Sequence, residues 1–147
     1  MKIKFKKLSP HAVIPTKGKP GDAGVDLTAI SKQKTVTPGG WYIEYDTGIA
    51  VEIPTGFVGL AFPRSSNSDF NSILSNSVGV IDETYRGPIK LRFKPSNYKD
   101  IAELDEHEIN TRVGQLLIVP IVDIEPEETD TLTETNRNDK GFGSSGL

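Results

Sequence analysis

Residues 89–94 read IKLRFK, which sets Ile89, Leu91 and Phe93 on one side of an extended chain and Lys90, Arg92 and Lys94 on the other. Successive strand side chains point to opposite faces, so this segment offers one face to a core and one to water. Outward from it the same short apolar runs return between glycine and proline. Residues 2–7, 24–30, 41–45, 48–53, 57–62, 78–81 and 115–124 also read as strands. Pro38-Gly39-Gly40, Pro54-Thr55-Gly56 and Gly87-Pro88 mark turns between them, and Pro95 ends the run in which the pattern is clearest. No long helical stripe intervenes; residues 100–110, acidic and short, read as a loop with one turn of helix. The expected class is all-β, with a spacing that suits a sandwich, jelly roll or barrel.

A chain of 147 residues, 35% of them apolar, supports one core rather than two. A net charge of −3 and the lack of a basic stripe argue against a polynucleotide partner and favour a small phosphorylated metabolite. Cysteine is absent, which excludes disulfides and thiolate metal sites. The opening MKIKFKKL alternates lysine with Ile3 and Phe5 and reads as an edge strand rather than a signal peptide. Nothing approaches the roughly 18 apolar residues of a membrane span, so a soluble, cytoplasmic protein is expected. His11 and His107 stand alone without ligand spacing and are expected on the solvent-exposed surface.

Five segments carry residues that a bland sandwich does not need. AGVDLTA (residues 23–29) sets Asp26 between Val25 and Leu27, either facing solvent or placed as a carboxylate near a metal–nucleotide complex. FPRSS (residues 62–66) ends an apolar strand with Pro63, then offers the guanidinium of Arg64 and the hydroxyls and amides of Ser65 and Ser66, as a phosphate nest or as a plain polar turn. NSVGVIDETYRG (residues 76–87) reads as a hairpin whose bend can present main-chain groups to the edge of a base. In it Asp82 either caps the turn or holds and deprotonates a water. TRVGQLLIVP (residues 111–120) places Gln115 at the rim of a core, with Arg112 three residues before it; the amide needs a partner, which a ligand phosphate or a backbone carbonyl would equally supply. RNDKGFGSSG (residues 137–146) joins Arg137 to glycines, Ser144, Ser145 and a lone ring, Phe142. It reads as a lid with phosphate donors and one stacking aromatic. The acidic stretch EPEETDTLTETNRNDK (residues 125–140) that carries it has little apolar content to anchor it.

Taken in order, these five motifs resemble those of the trimeric deoxyuridine triphosphate nucleotidohydrolases, the dUTPases, over residues 23–146. The resemblance implies a β-clip, or distorted jelly-roll, domain over residues 1–126 with a flexible C-terminal arm over 127–147 that closes the active site. It also implies a homotrimer with active sites shared between subunits, a cytoplasmic setting (host cytoplasm if virally encoded), and Mg²⁺-dependent cleavage of dUTP to dUMP and pyrophosphate. Asp82 then resembles the aspartate that activates water for attack at the α-phosphorus. Asn76 resembles a uracil contact, with Val80 and Ile81 beside it, and Tyr85 the ring beneath deoxyribose. Arg64, Ser65, Ser66 and Gln115 resemble the phosphate binders, and Asp26 the carboxylate that meets the metal through water. Arg137, Ser144, Ser145 and Gly146 resemble the arm's phosphate clamp, with Phe142 over uracil and Gly143 among the substrate-binding residues. The fourth motif departs from the family pattern, having Asn110, Thr111 and Gly114 where glycine, an acidic residue and alanine are usual; Lys140 stands where glycine often does. The dCTP deaminases are similar in fold and in PRSS but need an acid–base glutamate, and none occurs on the segments 87–94 and 115–124. A nucleotide-binding regulator built on the same scaffold is the remaining alternative, and the intact Asp82 speaks against a purely binding role.

Overall fold

The computed structural model describes residues 1–96 and 107–141. Within them the chain is all-β: β1 Lys4–Lys7, β2 Val25–Thr28, β3 Ser31–Thr37, β4 Gly40–Asp46, β5 Ile49–Glu52, β6 Phe57–Phe62, β7 Ser72–Leu74, β8 Gly79–Ile81, β9 Lys90–Pro95 and β10 Arg112–Pro120, with a 3-10 turn at Ser65–Asp69. Two four-stranded sheets, ordered β2-β10-β6-β8 and β3-β4-β9-β7, accompany a two-stranded sheet of β1 and β5. Every pairing is antiparallel.

The alternation that decides the fold is realised in β9, where Leu91 and Phe93 are buried and Lys90 and Arg92 exposed. Across from it, β4 contributes Ile43 and Tyr45, and the core is completed by Leu27, Ile49, Val113 and Leu116, all at 1% exposure or less. Burial of each such side chain contributes roughly 1.5–3 kcal/mol of transfer free energy, so these residues hold the layers together. The ring of Tyr45 meets Phe93 edge-on at 5.8 Å.

Two strands escape a reading of apolar pattern. β3, SKQKTVT, is mostly exposed and is held by a seven-residue ladder to β4 rather than by burial. β7 is three residues long and joins β9. β10 begins at Arg112, ahead of the expected start, and ends at Pro120. Ile121, Val122 and Ile124 look like its continuation in the sequence, but they lie exposed, having no partner strand among the described residues. From Ile121 to Gly141 the chain is exposed throughout.

His107 is a correction. Expected on the surface, it is only 7% exposed, because Tyr45, Phe70 and Phe93 surround its ring. The segment expected as a hairpin is also built differently. Residues 76–87 hold one strand, not two: β8 pairs with β6, and no second strand follows it before β9 at Lys90; β7, just ahead, belongs to the sheet of β9, so the chain crosses from one sheet to the other between β7 and β8. Ser77, with φ of 62°, makes the bend that redirects the chain.

Candidate active site

The crossover opens a cleft of about 500 Å³ where the two sheets part. One wall is β8 with Asn76 ahead of it and Asp82 and Tyr85 behind; the other carries Glu44, Lys90 and Arg92. Among the described residues β8 is the last strand of its sheet, so alternate peptide groups on its outer side have no ladder partner there. Val80 is 65% exposed while Ile81 is buried, so Val80 offers its side chain and Ile81 only its backbone. Asp82 is exposed, and its carbonyl accepts the amide hydrogen bond of Tyr85 at 3.1 Å. The Tyr85 hydroxyl donates to the Pro88 carbonyl at 3.0 Å, which fixes the ring as part of the wall. Opposite, Glu44 bridges Lys90 at 2.7 Å and Arg92 at 2.8 Å. The hydrogen bond from Lys90, helped by Arg92 and opposed by burial, holds the Glu44 carboxyl below the usual range.

A second cleft, of about 470 Å³, gathers Asp26, Arg64, Ser65 and Gln115. Asp26 on β2 lies opposite Gln115 on β10, and β6 runs along the other side of β10 and ends where Arg64 begins. Arg64 Nε donates to Asp26 Oδ1 at 3.0 Å, and Arg112 Nη1 to Asp26 Oδ2 at 3.0 Å. Gln115 Nε2 donates to the Pro63 carbonyl at 3.1 Å, so of its two expected partners the backbone is the one present. Its Oε1 lies against Gly24, where a Cβ would stand 3.1 Å from it and 3.0 Å from Leu117, so any larger residue there would push on the Gln115 amide. With Lys19 and Asp22 included, the lining groups leave one net positive charge in the cleft. Ser66 faces away from it, into a neighbouring cleft that also contains His107.

Arg112 is the residue that pattern reading leaves unassigned. Three positions apart on a regular strand, Arg112 and Gln115 would face opposite sides. A register shift between Arg112 and Gly114 breaks that alternation and brings both into one cleft. Two of the three departures in this motif have a structural reason, and nothing in the structure explains Thr111. Asn110 has φ of 63°, in the left-handed region that glycine and asparagine tolerate. A Cβ on Gly114 would lie 2.5 Å from Leu91 and 2.9 Å from the Phe62 carbonyl.

The two clefts divide the expected residues: Asn76, Val80, Ile81, Asp82 and Tyr85 line one, Asp26, Arg64, Ser65 and Gln115 the other. Arg137 lines neither; its Nε donates to the Lys140 carbonyl at 3.0 Å in the exposed tail. Phe142, Gly143, Ser144, Ser145 and Gly146 lie outside the described residues.

The model of the dUTPase family matches residues 10–146. The chain belongs to the dUTPase family. Its relatives include the deoxyuridine 5'-triphosphate nucleotidohydrolases of Clostridioides difficile, 36% identical over 99% of this chain and 98% of that one, and of Arabidopsis thaliana, 40% identical over 99% of this chain and 83% of that one. That of Escherichia phage T5 is 37% identical over 98% of both. Among solved structures of dUTPase members, the Staphylococcus bacteriophage 80alpha dUTPase with dUPNHPP superposes with a TM-score of 0.82 at 27% identity, over 99% of each chain.

Proposed function

We propose that this chain hydrolyses dUTP to dUMP and pyrophosphate, with Asp82 as the base that activates water for attack at the α-phosphorus. The supporting observation is the division of the site. A base-and-sugar cleft carries the carboxylate, and a phosphate cleft carries the guanidinium groups, on different parts of one chain. Neither is complete alone. A homotrimer in which one subunit's phosphate cleft faces another's base cleft would unite them, and exposed Val122 and Ile124 ahead of the arm and Leu132 within it are apolar groups with which the chain could reach a neighbour.

The unpaired outer edge of β8 suits the N3–H and O4 of uracil, which cytosine presents in the reverse sense. The mismatch would leave buried polar groups unpaired at about 1–3 kcal/mol each. Tyr85, whose hydroxyl is held by the Pro88 carbonyl, is read as the ring beneath deoxyribose that would exclude a 2'-hydroxyl. Arg64 and Arg112, oriented by Asp26, offset the charge of the triphosphate, and Ser65 adds donors. Asp82 accepts a proton from water as that water's oxygen bonds to phosphorus, and pyrophosphate departs.

The described residues contain no group of three or more His, Asp or Glu able to hold a metal, and both Asp26 oxygens already accept from arginine. They do not form a resident Mg²⁺ cage. The ion is read instead as part of the Mg·dUTP substrate, carried on the phosphates, as is usual for this cation. The C-terminal arm, with Arg137, Phe142, Gly143, Ser144 and Ser145, closes over the nucleotide and excludes water. Pyrophosphate release measured side by side from dUTP, dCTP, dTTP and UTP tests the proposal. Turnover confined to dUTP is the expected result; equal turnover of UTP or dTTP, or ammonia release from dCTP, would overturn it.

A further inference from the structure

The phosphate loop has no regular ladder to hold it. After Pro63 the chain leaves β6, presents Arg64, Ser65 and Ser66, and winds into the 3-10 turn Ser65–Asp69. The one buried residue of that turn is Asn67. Its amide N–H donates to the Arg64 carbonyl at 2.9 Å, and its own carbonyl accepts from Phe70 at 3.1 Å. Its side chain decides where the turn sits. Nδ2 donates to the Ser72 carbonyl at 2.8 Å, so Oδ1 is the acceptor turned toward His107 Nε2, 3.0 Å away. The tautomer follows: Nε2 carries the hydrogen. Ser72 Oγ adds a longer bond to the same oxygen at 3.3 Å.

His107 is itself fixed. Its amide donates to the Tyr45 hydroxyl at 2.9 Å, Lys32 Nζ donates to its carbonyl at 3.4 Å, and its ring lies 4.3 Å from that of Phe70 at the far end of the turn. Tyr45 and Phe93 meet the ring edge-on from the core. Burial lowers its pKa, which keeps the imidazole neutral at physiological pH. The Arg64–Asp26 and Gln115–Pro63 bonds hold the start of the loop, and the buried Asn67 side chain ties the turn that follows it to the core, two residues beyond Ser65.

We propose that the His107–Asn67 hydrogen bond fixes the position of the Arg64–Ser66 loop, making His107 a positioning residue for the β- and γ-phosphates of the nucleotide. This rests on the dUTP-hydrolysing function set out above. His107 touches no substrate; it acts through Asn67. Phenylalanine at this position keeps the stack on Phe70 and loses the bond, leaving Asn67 Oδ1 with only the weak Ser72 contact. Glutamine returns an amide donor near the place of Nε2.

The test compares wild type, His107→Phe, His107→Gln and Asn67→Ala by pyrophosphate release from dUTP and by inhibition with dUMP, which lacks the outer phosphates. The expected result for His107→Phe is a rise of about tenfold in KM for dUTP with the dUMP inhibition constant within about twofold of wild type. Asn67→Ala, which cuts the same tie from the loop side, should do the same even if His107→Phe fails to fold. His107→Gln should recover most of the loss. A dUTP KM unchanged in Asn67→Ala, or equal weakening of dUTP and dUMP, would overturn the positioning role. Wild-type protein that releases no pyrophosphate from dUTP would instead overturn the underlying function.

Discussion

Replacing Asp26 with asparagine separates two roles for this carboxylate. Both of its oxygens accept from guanidinium groups, Arg64 and Arg112, and its side chain is 18% exposed against 29% for Arg64 and 53% for Arg112. The Arg64 bond is the more enclosed and falls in the range of charge-assisted hydrogen bonds, about 1.5–3 kcal/mol. The half-exposed Arg112 pair is worth about 0–1 kcal/mol. Asparagine keeps one acceptor oxygen, so the net loss should be about 1–2 kcal/mol, or a fall in melting temperature of roughly 2–8 °C. Binding responds differently. Removing the negative charge favours a phosphate about 5 Å away by about 0.8 kcal/mol in water-like surroundings. That gain opposes the loss of arginine alignment, so KM should stay within a few-fold. Alignment governs the reaction itself, and a guanidinium displaced by about 1 Å can cost on the order of 100-fold, so kcat should fall about 10- to 100-fold. Steady-state kinetics at several Mg²⁺ concentrations, with a melting curve, measure all of this. A mutant with wild-type kcat and melting temperature, changed only in the Mg²⁺ concentration for half-maximal rate, would refute the reasoning and return Asp26 to the metal.

Tyr85→Ala should lower the ratio of kcat/KM for dUTP over UTP by about tenfold or more, since the ring wall beside the sugar is lost; competition kinetics with both nucleotides check it. Stability should depend on pH in two windows, followed by urea unfolding. The native pKa of His107 is lowered by burial, so its contribution is full above the ordinary imidazole pKa. It declines as pH falls from about 6.5 toward the lower native value, by at most about 1.4 kcal/mol per pH unit. Glu44, lowered chiefly by its hydrogen bond from Lys90, contributes fully above the ordinary carboxylate pKa and loses that contribution as pH falls through its native value. His107→Phe should remove the first window and leave the second.

Alternation made most of the sheet residues legible. Ile89, Leu91 and Phe93 are buried as their spacing demands. What stayed hidden is what alternation does not encode. β3 is held by its ladder rather than by burial, so SKQKTVT gives no apolar signal. Residues 76–87 look like a hairpin because a short apolar run leads into a polar bend, but the one strand there, β8, finds its partner in β6 by long-range pairing rather than in a neighbouring arm. Arg112 was hidden by a bulge that defeats strand parity, and His107 by the assumption that a histidine without ligand spacing is wet. The site motifs were recognisable by type and order because glycines, arginine and aspartate fall at turns and strand ends. Their separation into two clefts is a property of the folded chain alone.

The central claim is that the Asp82 carboxylate makes water a nucleophile toward a nucleotide held independently of it. Asp82→Asn keeps the shape and removes the base. The decisive measurement is single-turnover hydrolysis of dUTP by this variant beside calorimetric binding of a non-hydrolysable dUTP analogue. The account predicts binding within a few-fold of wild type and a rate lower by about two or more orders of magnitude. Wild-type turnover in the variant would contradict it.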